Sequence, residues 1–221
     1  GTGAVLTRGG VPGAPELTEA EIHAAVEEAA WYGTHVAVHA HGAEGAKRAI
    51  RAGARSVEHG SYLDDEAIAM LADTGTFFSV DLYDGEWALG PDGPTDWPAE
   101  TMRKLVESQT AAENVFAKAV AAGVRITFGT DSGVYPHGLN GRQFASYVRA
   151  GMTHLAAIQT ATRNAAELMG WSDGVGSLLP GRFADLVAVA GDPLTDITEL
   201  ERPVVVAKAG VLVRDDRVLA V

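Results

Sequence analysis

The stretch GAEGAKRAIRAGARSVEHG, residues 42–60, decides how the chain is read. Residues 42–52 are expected to be helical, Gly53 to cap the helix, and Arg55-Ser56-Val57-Glu58 to follow as a strand that ends on His59 and Gly60. The same grammar extends in both directions. Upstream, Thr18 and Glu21 form a capping box for a helix running to about Tyr32; Gly33 ends it and residues 35–39 form a short strand. Downstream, Asp64, Asp65 and Glu66 put acid where a helix dipole favours it, Gly75 closes that helix, and residues 76–82 are rich in β-formers. Pro98 then opens a long helix with Met102, Leu105, Val106, Phe116, Ala119 and Val120 at helical spacing, and after Gly123 residues 124–128 form a fourth strand. One helix–glycine–strand unit is unremarkable, but four in series imply βα units and a parallel sheet, an α/β fold.

Past the fourth strand, helices are expected near residues 141–150 and 153–169. Beyond Gly170 the chain turns Gly/Pro-rich, with short strands at 184–190, 204–208 and 211–214. This gives two domains: 1–170 as part of a βα barrel and 171–221 as a separate β element. Residues 84–97 hold Pro, Gly, Asp and two tryptophans without periodicity, and read equally as a lid over a site or as a disordered surface excursion.

Composition narrows the function classes. The 221 residues carry 17 Lys+Arg against 29 Asp+Glu, a formal net charge of −12, with no local basic cluster to offset it; phosphate backbones and anionic membranes are therefore not expected partners. With no cysteine there is neither a thiolate metal site nor a cysteine nucleophile. No apolar run approaches the ~18 residues of a spanning helix, and no signal peptide is visible. The start, Gly1-Thr2-Gly3-Ala4, reads like the interior of a longer protein, and the compartment suggested is the cytoplasm.

In a parallel βα barrel the reactive residues gather at the C-terminal ends of the strands. Here those ends read His39-Ala40-His41-Gly42, Glu58-His59-Gly60 and Gly129-Thr130-Asp131-Ser132-Gly133. Imidazole and carboxylate from three separate strand ends suit zinc or a similar divalent ion. His39 and His41 share a strand face by the period of two, and the residues alone do not choose between them. His137, in the loop after Asp131, is a candidate substrate contact or a histidine bonded to backbone. His35 reads as structural and His23 as solvated.

At these residues the chain resembles the amidohydrolase superfamily, in the branch of imidazolonepropionases, Xaa-Pro dipeptidases and N-acyl amino acid hydrolases. The matching blocks are VAVHAHG (36–42), GAKRAIRAGARSVEHG (45–60), GTDSGVYPHGLN (129–140), TATRNAA (160–166) and PGRFADLVAVAGDP (180–193). The resemblance implies the second half of a TIM-type (β/α)8 barrel plus strands of a small β-sandwich. It also implies that His39, His59 and Asp131 bind one or two divalent metals per intact site. Asp131 would carry a proton from the attacking water to the leaving amine, and His41 and His137 would lie near the substrate. The expected substrate is a small amide or peptide, such as a dipeptide or N-acyl amino acid, with a cyclic amide as the alternative. The family's first-strand His-x-His pair and strand-four lysine are not found in this chain. A missing N-terminal half-barrel is therefore an expected partner, a homo-oligomer a possible assembly, and an inactive metal-binding half-barrel the non-enzymatic alternative. An aspartic protease reading, from Asp73-Thr74-Gly75 and Asp131-Ser132-Gly133, fails because Asp73 falls at a helix end and such loops need an all-β fold. No G-x-G-x-x-G follows a strand, which sets aside a dinucleotide binder.

Overall fold

The computed structural model describes residues 11–216. The chain forms two compact units, Gly1–Tyr135 and Pro136–Val221. In the first, the order is α1 (Glu19–Trp31), β1 (Ala37–Gly42), α2 (Ala43–Arg51), β2 (Ser56–Tyr62), α3 (Asp65–Thr74), β3 (Phe77–Val80), α4 (Tyr83–Leu89), α5 (Ala99–Ala121) and β4 (Ile126–Phe128). The four strands pair in parallel in the order β1-β2-β3-β4, with His39 opposite Glu58, Val57 opposite Phe78, and Ser79 opposite Thr127.

Local chemistry explains these boundaries. The Thr18–Glu21 capping box forms in both directions, closing two orphan donors at the start of α1. Asp64 caps α3 by accepting from the Ala67 N–H at 2.8 Å, and Gly75 ends it in the left-handed conformation at φ 69°, which costs a residue without Cβ little. Lys47 of α2, its side chain 11% exposed, pairs with Asp64 at 2.7 Å and with Glu66, tying α2 to α3. Burial pushes the Asp64 carboxyl up, but the bonds from Lys47 and the Ala67 N–H outweigh it and hold the group below the usual carboxylate range.

β3 is buried along its whole length, as expected of an interior parallel strand. Its Phe77, Phe78 and Val80 form the core with Val57, Leu71 and Phe116. The structure differs from the sequence reading in several places. β1 begins at Ala37, so His35 precedes it and is exposed, and β2 runs on to Tyr62. Residues 83–89 are a helix, not a disordered excursion: Tyr83, Gly85 and Ala88 are buried, and the Gln109 carboxamide of α5 occupies the space where a side chain at Gly85 would be.

The second unit contains α6 (Gln143–Arg149), α7 (His154–Gln159), a π-turn at Thr160–Asn164, α8 (Ala165–Leu168) and three strands, β5 (Leu186–Ala188), β6 (Val205–Lys208) and β7 (Val211–Asp215). The strands form an antiparallel sheet, β5-β6-β7. The helix read over 153–169 is thus interrupted. Thr160 and Thr162 donate back to the Ala157 and Ile158 carbonyls at 2.6 and 2.9 Å, a competition that loosens the α-helical ladder where the π-turn forms. Among the described residues, no helix is long and apolar enough to cross a membrane.

Candidate metal centre

Four of the five site candidates converge. His39, His41, His59 and Asp131 line one cavity of about 130 Å³ at the C-terminal ends of the parallel strands, together with Ser61, Asp81, Asp84, Trp97, Leu105 and others. His39 and His41 leave β1 on the same side, with ring centroids 4.9 Å apart, and the His59 ring stands 4.4 Å from His39 and 4.8 Å from His41. One nitrogen from each of these rings lies within 4.8 Å of the others, and a second group meeting that limit is His59, Asp81 and Asp131. The implied set of His39, His59 and Asp131 spans both groups, with His59 common to them.

The backbone is bent to achieve this. His59 has φ 68° and Asp131 φ 44°, left-handed conformations that cost a non-glycine residue roughly 1–3 kcal/mol and cluster at functional sites. Gly60 follows His59 at φ 62°, and a Cβ there would sit 2.4 Å from the Phe78 ring, so the turn that swings His59 into the cavity admits only glycine. At the end of β4 a Cβ on Gly129 would meet Ser79 Oγ at 2.3 Å, so a bare backbone brings Asp131 close to β3.

Hydrogen bonds orient two of the three rings. His59 Nδ1 donates to Asp81 Oδ1 at 2.9 Å, which leaves Nε2 for a cation; a carboxylate behind an imidazole is the usual outer support of a metal-binding histidine. His41 Nδ1 is bonded to Ser61 Oγ at 2.9 Å. The electrostatics follow. Burial opposes charge on His59, but the bond and charge of Asp81 outweigh it and raise this imidazole to about 9. Burial, then the neighbouring His59 and His39, push His41 down to about 3. Burial and His59 also lower His39, so these two rings are held in the neutral form that binds metals. Burial, then the charge of Asp81, push the Asp84 carboxyl well above the usual range.

His137 lies in the Pro136–Val221 unit and is exposed. His23 is largely solvated, its side chain 57% exposed. The residues that sequence reasoning missed are Asp81, Asp84 and Ser61. Asp81 directly follows β3, at the same end of the sheet as His39, His59 and Asp131.

The amidohydrolase family profile matches residues 1–213. The chain belongs to the amidohydrolase family. Among curated proteins it is 33% identical over 204 residues to the ochratoxinase of Aspergillus niger, covering 91% of this chain and 42% of that enzyme. Among solved structures, a Xaa-Pro dipeptidase with methionine bound in its active site superposes with a TM-score of 0.90 at 41% identity, covering 96% of this chain and 53% of that one. A putative prolidase from Bifidobacterium longum gives 0.84 at 30% identity, covering 98% and 56%. The chain thus spans about half the length of the relatives it matches, and its parallel sheet and small antiparallel sheet correspond to about half of an amidohydrolase barrel structure.

Proposed function

We propose that this chain carries half of the active site of a divalent-metal amide hydrolase whose substrates are dipeptides or N-acyl amino acids. The observation that carries the reading is the convergence of His39, His41, His59, Asp81 and Asp131 in one cavity at the strand ends. The donor set fits a zinc-like ion: neutral imidazoles, carboxylates, and a carboxylate-supported histidine. His39, His59 and Asp131 are the residues we assign to hold it. A divalent ion at such a site supplies a water acidic enough to ionise near neutral pH and polarises the scissile carbonyl.

The chain's own groups supply the rest. Asp131, on its left-handed backbone, takes the proton of the attacking water and returns it to the leaving amine. Asp81 holds the His59 ring through Nδ1, which would leave Nε2 available to such an ion. We assign His41 and His137 to the substrate, residues 1–170 to the barrel and 171–221 to the sandwich element. The remaining barrel strands, with whatever further metal ligands they carry, are proposed to come from residues outside this chain. They decide between one ion and two.

Of the relatives, the Xaa-Pro dipeptidase favours Xaa-Pro dipeptides as the first substrates to test. The test is hydrolysis of a panel of Xaa-Pro dipeptides, N-acyl amino acids and cyclic amides by the full-length protein, with and without a chelator. Cleavage of either of the first two classes that stops on chelation and returns with zinc is expected. Chelator-insensitive cleavage, or cleavage of cyclic amides alone, would overturn the assignment.

A further inference from the structure

The cavity holds three carboxylates, Asp81, Asp84 and Asp131, and among the described residues no Lys or Arg lines it. Two of them lie with His59 in a grouping tight enough to share a divalent ion, so their charge has a natural partner. Asp84 lies outside both groupings and accepts a hydrogen bond from the N–H of its neighbour Gly85. A surplus carboxyl in a largely apolar enclosure is costly unless something charged or strongly donating meets it.

Its position is also held in place. Gln109 Nε2 donates to the Leu82 carbonyl at 3.1 Å and to Glu113 Oε1 at 2.9 Å, while Gln109 Oε1 fills the space beside Gly85. A buried carboxamide thus clamps the turn on either side of Asp84. The cavity's apolar lining comes from Trp97, Leu105, Ala112 and Val134.

We infer that Asp84 is a specificity-determining residue, pairing with the free ammonium group of a substrate whose adjoining apolar side chain rests on the Trp97–Leu105 wall. This deepens the hydrolase reading and rests on it: the preferred substrate has an unblocked amino-terminal residue with a large apolar side chain, as in a dipeptide. An acylated amino acid lacks that cation. An ammonium arriving beside Asp84 would offset the burial and the Asp81 charge that disfavour its ionised form, adding affinity through a charge-assisted hydrogen bond, and a site built for a donor rejects an analogue without one.

The test is equilibrium binding to the zinc-loaded full-length protein of L-leucinamide, glycinamide and 4-methylpentanamide, the last being leucinamide without its amine. Wild type is expected to bind leucinamide at least about 30-fold more tightly than either analogue. In Asp84→Asn the advantage over 4-methylpentanamide should fall to about threefold or less, while the advantage over glycinamide persists. A wild type indifferent to the amine overturns the inference whatever the variant does. An amine preference that survives Asp84→Asn also overturns it, because the metal would then be the group that recognises the amine. The hydrolase reading fails separately, if no amide is cleaved, since these ligands are read by binding alone.

Discussion

The two ends of the parallel sheet are built from the same four strands and are opposites in chemistry. At the N-terminal end, the guanidinium groups of Arg125 and Arg55 lie over the Phe77 ring at 4.0 and 5.3 Å, and Phe77 is 1% exposed. The buried ring face is thus matched to cations. At the C-terminal end, three imidazoles crowd together, carboxylates face one another, and His59 and Asp131 sit in left-handed backbone. One end of the sheet is arranged for stability. The other holds strain and unfavourable charge that a cation and a substrate would relieve, a division typical of barrel enzymes.

If the division is real, each end can be damaged without the other. Phe77→Ala should have the largest effect on stability, about 3–5 kcal/mol, through the cavity it leaves and the lost cation–π contacts. Denaturant unfolding measures that loss, and zinc affinity of the folded protein should change by less than about threefold. A parallel loss of zinc affinity would show that the two ends are coupled. Asp81→Asn attacks the other end. It removes the charge behind His59, so zinc affinity should fall about 10–100-fold, while the unfolding midpoint moves little. Competition against a chromogenic chelator reads the affinity.

The smallest effect is expected away from both ends. Asp64 has its carboxyl held low by Lys47, so its contribution is present above the unfolded value near 4 and is lost as pH falls through the lower folded value. Asp64→Asn keeps the helix cap but not the charge. It should flatten the acid side of the stability–pH profile by under about 1 kcal/mol, since the side chain is 52% exposed. A larger change would place Lys47 and Asp64 at the centre of the fold's stability.

Much of this division was legible in the sequence, and what was not has physical reasons. The capping box, the terminal glycines and the β-rich runs placed all four strands, and strand-end logic brought forward His39, His41, His59 and Asp131, all of which line the cavity. Asp81 was missed because its strand was read as 76–82, which put it inside the strand; β3 ends at Val80 and leaves Asp81 facing the cavity. The left-handed turn at His59 and Gly60 is forced by the approach of Phe78, a contact between strands that no local pattern encodes. α4 lacks apolar periodicity because its burial comes from Gln109 of α5 and is invisible in its own residues. Trp97 and Leu105 reach the cavity only through the placement of the α4–α5 connection and α5.

The central claim is that the strand-end histidines form a metal centre. Zinc content after equilibrium dialysis, for this chain beside its His39→Ala, His59→Ala double variant, tests it most directly. The account predicts about one ion per chain, lost in the variant while its circular dichroism remains that of the parent. Equal zinc in the two proteins, or none in either at millimolar metal, would contradict it.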